Sequence, residues 1–337
     1  MRQPMNLPVA TRHVPLIATG LVLVVLFATA SVLYDGFFSL RVVVNLLSDN
    51  AFLGITAVGM TFVILSGGID LSVGAVVAFT SIFVAALVGS HQVHPVLAIL
   101  LALCIGPAFG CAMGLVIHFY RLPPFLVTLA GMFLARGMGF VVNMESAGIQ
   151  HPFYDRVLSF GIPVARGVPI PATSLAYLLL FVAALILAHF TRFGRSIYAI
   201  GGNETSALLM GLPVGRTKIL AYSFNGFCST LAGVVATFYM GSGNPAMGFG
   251  LELDAIASVV IGGTLLTGGS GYVAGTLMGT LIFGTIQAAL VFDGRLNSWW
   301  LRIAIGALLL AFILLQRFLS SRSTDRRTAL AQRSRPT

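Results

Sequence analysis

Long apolar runs separated by short polar segments make up most of the chain. No charged residue stands between Asp70 and Arg121. A helix needs about 20 apolar residues to cross a bilayer, so this stretch has room for about two crossings, with a break near 90–95. The same criterion predicts about ten transmembrane helices along the whole chain. These predicted spans lie near residues 14–33, 51–67, 72–90, 95–119, 124–143, 171–190, 219–240, 254–268, 272–292 and 299–318.

The pattern therefore predicts an all-α, polytopic integral membrane protein. The eighth predicted span, 254–268, is short and rich in glycine. A broken helix or a re-entrant segment is the alternative to a full crossing at that place.

Lysine and arginine gather in a few short segments. Most of them precede the first predicted span, follow the fourth and the sixth, or come after the last. The loop 144–170 is the exception, with Arg156 and Arg166 offset by Glu145 and Asp155. An even number of spans with both termini in the cytoplasm places all of the other segments on one side, as the positive-inside rule requires. We therefore expect a cytoplasmic segment at 1–13, a transmembrane domain at 14–318 and a basic, disordered cytoplasmic tail at 319–337.

Composition supports a lipid-facing exterior. Of 337 residues, 57% are hydrophobic and 9% are charged, against roughly 25% charged in soluble domains. The net charge is +9, and most of the arginines lie in short segments between apolar runs, so the charge indicates orientation in a bilayer and predicts no nucleic-acid partner. The three cysteines all fall inside apolar runs, which favours small buried residues over a disulfide framework or a metal site.

The first predicted span leaves one alternative. Arginines precede it, and Ala28-Thr29-Ala30 resembles a cleavage site for a signal peptide. We expect an uncleaved first span, since a chain with many later spans gains nothing from losing it.

Sequence motifs for catalysis are missing. The chain contains no H-E-x-x-H pair, and its only lysine, Lys218, follows Thr217. A phosphate-binding loop of the form G-x-x-x-x-G-K-[ST] is therefore excluded. We expect a protein that is not an enzyme and has no cofactor, so any ATP hydrolysis belongs to another chain.

Three charged residues near or within the predicted spans are candidates for function. Asp70 directly precedes the third span, and Asp254 occupies the equivalent place before the eighth. At such a place a carboxylate can cap the helix and suits its positive end, and a direct role in transport is the alternative. Arg136 lies within the fifth span, where charge is rare and often functional. It either lines a pathway or is a snorkelling or paired side chain.

Two glycine series repeat at every fourth residue. This spacing places small residues on one helix face, where neighbouring backbones can approach closely. We therefore predict helix packing at Gly106, Gly110, Gly114, Gly271, Gly275 and Gly279.

The segment 191–218 follows the sixth span and is too long and too patterned for a bare connector. Gly201-Gly202-Asn203 predicts a turn, and Asn203 can cap a short helix that begins at Glu204 and stops at Gly211. Such a helix on the membrane surface is suited to docking a cytoplasmic partner. An ordinary surface helix is the alternative.

This loop, with GGNETSALLMGLPV, resembles the glutamate-alanine-alanine loop of ABC importer permeases, in the version found in the ribose, xylose and arabinose permeases. Glu204, Ala207 and Gly211 match the Glu, the second Ala and the Gly of that loop, and Ser206 stands where the family has its first Ala. Further stretches match the same family in the expected order: GMTFVILSGGIDLSVGA at 59–75, PPFLVTLAGMFLARG at 123–137 and LDAIASVVIGGTLLTGGSGYVAGTLMG at 253–279.

The resemblance implies a permease of the bacterial inner membrane that moves a monosaccharide, such as galactofuranose or ribose, by alternating access. It implies a coupling helix near Glu204–Gly211 and a set of partners: a second permease, identical or homologous, a pair of cytoplasmic ATP-binding subunits and a periplasmic sugar-binding protein. A secondary, ion-coupled transporter is the competing hypothesis. Such a transporter needs ionisable groups near mid-membrane, and this chain has few.

Overall fold

The computed structural model describes residues 14–165, 167–295 and 299–314. The predicted cytoplasmic segment 1–13 and the predicted tail 319–337 lie outside the described residues. Within them, the chain is mainly helical, with short strands at one end of the bundle.

The helices follow one another with short connections. They are α1 (Val14–Leu33), α2 (Leu40–Asp49), α3 (Ala51–Leu65), α4 (Val73–Ala85, continued by a π-helical turn at Ala86–Ser90), α5 (Pro95–Phe119), α6 (Pro124–Val142), α7 (Pro152–Ser159), α8 (Ala172–Phe190), α9 (Arg192–Gly202), α10 (Glu204–Leu209), α11 (Val214–Met240), α12 (Leu251–Ile261), α13 (Val273–Asp293) and α14 (Trp299–Leu314). The strands are β1 (Ala147–Gly148), β2 (Gly161–Ala165), β3 (Val168–Pro171) and β4 (Ser242–Gly243), paired β1–β4 and β2–β3, both antiparallel.

The prediction of an all-α, polytopic membrane protein is confirmed. Among the described residues, seven helices are long and apolar enough to cross a membrane, or eight if the bent pair α2–α3 counts as one span. The chain bends by 59° between the axes of these two helices. Helices α12 and α14 are shorter, so the number of ten spans and the side of the termini stay predictions.

The eighth predicted span is the place where the sequence left a broken helix open. Helix α12 has 11 residues, about 17 Å at 1.5 Å per residue, too short to cross a hydrocarbon core of about 30 Å. It ends at Gly262 and Gly263, the second of which has a φ of +90°. The chain then continues without helix to Val273, where α13 begins.

Helix α3 forms the centre of the bundle. All of its residues except Phe52 are buried, and α8, α11, α12 and α13 pack around it. Hydroxyl pairs join this core: Thr61 Oγ1 lies 2.7 Å from Thr276 Oγ1, and Tyr177 Oη lies 2.8 Å from Thr280 Oγ1. Each hydroxyl in these pairs thus has a hydrogen-bond partner in the buried core.

The glycines of α5 lie against α11. A Cβ atom at Gly106 would overlap the carbonyl of Gly226, and one at Gly110 would overlap the carbonyl of Tyr222. At Gly114 it would come within 2.9 Å of Ile219 Cα. Only hydrogen at these positions permits this close crossing of the two helices.

The second glycine series differs in part from the prediction. Gly275 and Gly279 lie on α13 against the last turn of α12, at the carbonyls of Gly262 and Ser258. Gly271 precedes α13 and has a φ of +153°, so it does not share their helix face. It instead turns the chain beside Thr264.

The two ends of the bundle carry different structures. Helices α8 and α11 each cross it, so α9 and α10 lie at one end and the β strands at the other. Strand β1 pairs with β4, with Ala147 opposite Gly243. We refer to the end that carries α9 and α10 as the α10 end.

Candidate functional site

Helix α10 begins at the residue that the sequence predicts. Asn203 is its N-cap, with Oδ1 accepting a hydrogen bond from Ser206 N at 2.8 Å. Such a cap satisfies a backbone donor that has no partner within the helix. The six residues Glu204–Leu209 thus form one short, fixed turn and a half.

Gly211 ends this helix through its backbone. Its φ is +77°, a conformation that glycine adopts without a steric penalty. The N–H of Leu212 donates to the carbonyl of Ala207 at 3.1 Å, and the N–H of Gly211 donates to that of Leu208 at 2.9 Å. These two bonds make a Schellman motif, so both ends of α10 are capped.

The side chains of α10 divide into an inner and an outer set. Ala207 is fully buried and packs with Ile200 and Val214. The three residues that follow it are exposed to 63%, 83% and 69%: Leu208, Leu209 and Met210. Contiguous exposed apolar side chains at the tip of a loop mark an interaction surface. We call Leu208, Leu209 and Met210 the α10 tip.

Glu204 has its partner within the same chain. Its Oε2 lies 2.6 Å from Nζ of Lys218 on α11. The side chain of Lys218 is 17% exposed and that of Glu204 is 55% exposed. The pair holds α10 against α11, and the carboxylate is directed toward this lysine.

Gly201 ties the loop to the core. A Cβ atom there would overlap the carbonyl of Leu65 and lie 2.5 Å from Gly269 N. The N–H of Gly269 donates to the same Leu65 carbonyl at 2.9 Å. The end of α3, the end of α9 and the loop before α13 thus meet at one point. Gly202, the next residue, faces open space among the described atoms.

Asp70 is buried, with 1% of its surface exposed. Its Oδ1 accepts hydrogen bonds from the N–H and the hydroxyl of Ser72, at 2.8 and 2.7 Å. Its Oδ2 accepts one from Asn225 Nδ2 on α11 at 2.8 Å. The N-cap of α4 is Ser72, so the carboxylate braces the turn before the helix and a second helix, instead of capping α4 directly.

Arg136 braces the loop between β4 and α12. It donates to the carbonyls of Pro245 and Met247, at 3.1 and 2.6 Å, and its guanidinium lies 4.1 Å from the ring centroid of Phe249. This contact combines two hydrogen bonds with a cation–π interaction. The phenylalanine itself is 64% exposed.

Asp254 lies inside the first turns of α12, which begins at Leu251, and not before it as the sequence predicts. The negative charge still suits this end of the helix. Its Oδ1 lies 3.7 Å from a guanidinium nitrogen of Arg302 on α14. The two side chains are 21% and 54% exposed, and they line a crevice of about 250 Å³ together with Trp299 and Phe283.

The chain matches a known family over most of its length. Residues 42–313 match the model of the family described as "Branched-chain amino acid transport system / permease component". The chain belongs to this permease family. The resemblance to ABC importer permeases drawn from the sequence motifs is confirmed at this level.

Relatives with known names agree with the family. The permease is 52% identical to the "Inner membrane ABC transporter permease protein YjfF" of Escherichia coli K12 over 309 residues, 92% of this chain and 93% of that protein. It is 42% identical to the "Ribose import permease protein RbsC" of Bacillus subtilis over 88% of this chain and 90% of that protein. It is 37% identical to the "Fructose import permease protein FruG" of Bifidobacterium longum over 93% and 94%. No solved structure matches the chain.

The family motifs lie in the permease at the places where its segments meet. The stretch 59–75 contains the end of α3 and Asp70, and 253–279 contains α12 and the loop that meets Gly201. The sequence did not identify four of the functional candidates: the α10 tip, Lys218, Asn225 and Arg302. A run of apolar residues in a loop between charged segments is a local signal for the first. The other three are recognised only through contacts between distant elements.

Proposed function

We propose that this permease imports a monosaccharide across the bacterial inner membrane as the channel-forming subunit of an ATP-driven ABC importer. Sugars are the solutes in the names of the ribose and fructose permeases to which it is similar. ATP hydrolysis belongs to separate cytoplasmic subunits, because the chain has a single lysine and no phosphate-binding loop.

The structure of helix α10 gives the main support for this proposal. The helix is capped at both ends, held to α11 by an ion pair, and exposes an apolar tip away from the bundle. A rigid knob of this kind fits a groove on a partner, because little conformational freedom is lost when it binds. We assign it as the coupling helix and the α10 end as cytoplasmic.

The loop around Gly201 supplies the route from α10 to the core. A movement of α10 that displaces Gly201 also displaces the end of α3 and the loop before α13, since their backbones are in contact. Helix α3 is the buried centre of the bundle. A push by the ATPase on α10 thereby reaches the elements that alternating access has to move.

The complete importer contains a second permease, two ATP-binding subunits and a periplasmic binding protein for the sugar. We propose that the pathway follows the crevice that Asp254 and Arg302 line. Charged side chains in membrane proteins face a bundle interior or a water-filled cavity. The partly exposed Asp254–Arg302 pair therefore requires water or a second permease beside it instead of lipid.

The test is a charge placed on the α10 tip. We expect Leu209→Asp to release the ATP-binding subunit from the purified importer and to abolish sugar uptake. Expression in the membrane should be unchanged, because the side chain is 83% exposed and the proposed orientation puts it in the cytoplasm. Leu158→Asp is the matched control, since Leu158 is 52% exposed on α7 at the opposite end. It should retain both the ATPase and uptake.

Normal assembly and uptake in Leu209→Asp would contradict the assignment of the coupling helix. A second measurement tests the class of transporter. Uptake by this chain alone in proteoliposomes, driven by an ion gradient, would establish secondary transport and overturn the ABC proposal.

A further inference from the structure

A cleft of about 860 Å³ opens at the α10 end between α9 and the start of α11. It lies beside the coupling helix but does not include the α10 tip. The lining residues that determine its chemistry are Arg192, Phe193, Arg195, Arg216 and Leu220.

Three arginines converge on this cleft, and no lining residue is acidic. All three side chains are exposed, and none of them forms an ion pair with a described residue. Three positive charges around one cavity repel one another and attract a multivalent anion. Guanidinium groups suit phosphate in particular, because they donate two parallel hydrogen bonds.

An apolar stripe leads from the cleft along α11. It consists of Leu220, which is exposed, and of Phe224, Phe227 and Leu231, which are partly buried with one side against the core. The four residues recur at spacings of four, three and four. This spacing places them on one helix face. From Leu220 to Leu231 the helix rises about 17 Å, close to one leaflet of a hydrocarbon core of about 30 Å. Phe193 of α9 lines the cleft and stacks on the buried Phe62, which also packs on Phe224.

We infer that this cleft binds the headgroup of an anionic phospholipid from the cytoplasmic leaflet. The phosphate lies among Arg192, Arg195 and Arg216, and an acyl chain follows the apolar stripe on α11. Basic pockets at the cytoplasmic ends of transmembrane helices bind acidic headgroups in this way.

The stripe favours a lipid over an acidic segment of the ATPase. A protein partner in the cytoplasm reaches the arginines but not Phe227 or Leu231, which lie farther along a membrane-spanning helix. A phospholipid carries both the negative charge and the apolar chain that the two parts of this surface require. The site requires the cytoplasmic orientation of the α10 end proposed above, and it is independent of the solute that the permease transports.

The test uses the full-length permease, stripped of lipid in detergent and then reconstituted in nanodiscs with phosphatidylcholine and a small fraction of phosphatidylglycerol. Native mass spectrometry after extraction counts the retained lipids. We expect retention of phosphatidylglycerol over phosphatidylcholine in the wild type. Arg192→Gln, Arg195→Gln and Arg216→Gln should each lower that preference about fivefold, the effect of one basic residue near an anionic surface.

Arg121→Gln is the matched control. Arg121 is exposed at the same end of the bundle, after α5, and does not line the cleft. This variant should keep the preference for phosphatidylglycerol within about twofold of the wild type, because the charge it removes lies outside the site. Leu220→Asp should lower retention as well, because it places a negative charge between the cleft and the stripe.

Equal retention of the two lipids by the wild type would overturn the inference. So would displacement of phosphatidylglycerol by inorganic phosphate with no effect of Leu220→Asp, since the cleft would then be a site for free phosphate. The three arginine variants are also purified as whole importers. Loss of the ATP-binding subunit there, with lipid retention by the permease unchanged, would make the cleft a protein interface and would also overturn the inference.

Discussion

A buried hydrogen bond of 2.8 Å joins Asp70 and Asn225, two residues that lie 155 positions apart in the sequence. Asp70 lies in the break between α3 and α4, and Asn225 lies on α11. Since the other carboxylate oxygen accepts from Ser72, one side chain fixes the course of the break and its distance from α11. The bond thus holds together three of the helices that form the core.

We expect Asp70→Ala to destabilise the permease. The change leaves the Asn225 amide and the Ser72 N–H buried without acceptors, at a cost of about 1–3 kcal/mol for each group. Thermal unfolding in detergent, followed by the loss of monodisperse protein, measures this effect. Asp35→Ala is the control, because Asp35 is exposed between α1 and α2. An unchanged midpoint in Asp70→Ala would contradict the bracing role.

The ion pair between Glu204 and Lys218 predicts a charge-swap result. Glu204→Lys and Lys218→Glu should each place like charges 2.6 Å apart in the wild-type geometry, and so loosen α10. The double variant restores an attractive pair. An exposed pair contributes about 0.2–1 kcal/mol, so we expect moderate losses of uptake in the single variants and recovery in the double variant. A double variant as impaired as Glu204→Lys would show that Glu204 contacts the ATPase instead.

The left-handed backbone conformation of Gly211 determines which substitutions the end of α10 tolerates. No described atom lies within 4 Å of the position of a Cβ atom there, so a larger side chain meets conformational strain and not a clash within the chain. Residues other than glycine pay about 1–2 kcal/mol in the left-handed region, with asparagine among the better tolerated. We expect Gly211→Val to weaken retention of the ATPase on the purified importer and Gly211→Asn to retain it. Equal retention by both would contradict this role.

The close packing at Gly110 leads us to expect that a larger side chain there impairs folding. A Cβ atom there overlaps the backbone of Tyr222, so Gly110→Leu should force α5 away from α11 and sharply reduce the amount of folded protein in the membrane. Gly137→Leu is the control, because no described atom lies within 4 Å of that position on α6. Comparable yields of both variants, measured by size-exclusion chromatography with fluorescence detection, would exclude close packing at Gly110.

The spans were predictable because crossing a bilayer depends on length and hydropathy, which are local properties of the sequence. Errors appear where charged residues continue a helix. Helix α11 begins at Val214, five positions before the predicted span, since Arg216 and Lys218 extend it out of the apolar region. Helix α12 begins at Leu251 and carries Glu252 and Asp254 within it. A hydropathy criterion ends a span at such residues, but a helix does not end there.

The site was predictable where its signals are local. The Asn203 cap and the Gly211 stop follow from side-chain and backbone preferences within a few residues. The partners of Glu204, Asp70 and Asp254 lie 14, 155 and 48 positions away. No periodicity of the sequence connects such residues, so only the fold identifies Lys218, Asn225 and Arg302.

The Asp254–Arg302 pair gives the sharpest test of the proposed pathway. We expect Arg302→Gln to reduce sugar uptake strongly with little change in thermal stability. The pair is partly exposed, and such pairs contribute about 0–1 kcal/mol to stability. A large loss of uptake is then not explained by unfolding. Asp254→Asn should behave similarly, with the ATP-binding subunit still present in the purified importer.

Solvent access separates a pathway from a structural pair in lipid. In a chain whose three cysteines are replaced by alanine, Arg302→Cys should react with a membrane-impermeant maleimide in the assembled importer. Leu179→Cys on α8 is the control, because Leu179 is 72% exposed in the middle of a membrane-spanning helix and should stay unlabelled in lipid. The contrast between the two positions reports water beside Arg302, since both side chains are exposed in the isolated permease.

The pattern of labelling also decides between water and a second permease at this surface. Labelling of Arg302→Cys that changes when ATP is added indicates a pathway that opens and closes, as alternating access requires. A cysteine that is labelled in the isolated permease and protected in the assembled importer in every nucleotide state lies in a subunit interface, and the pathway then runs elsewhere. No labelling in either form, together with normal uptake by Arg302→Gln, would place the pair against lipid and contradict its role in transport.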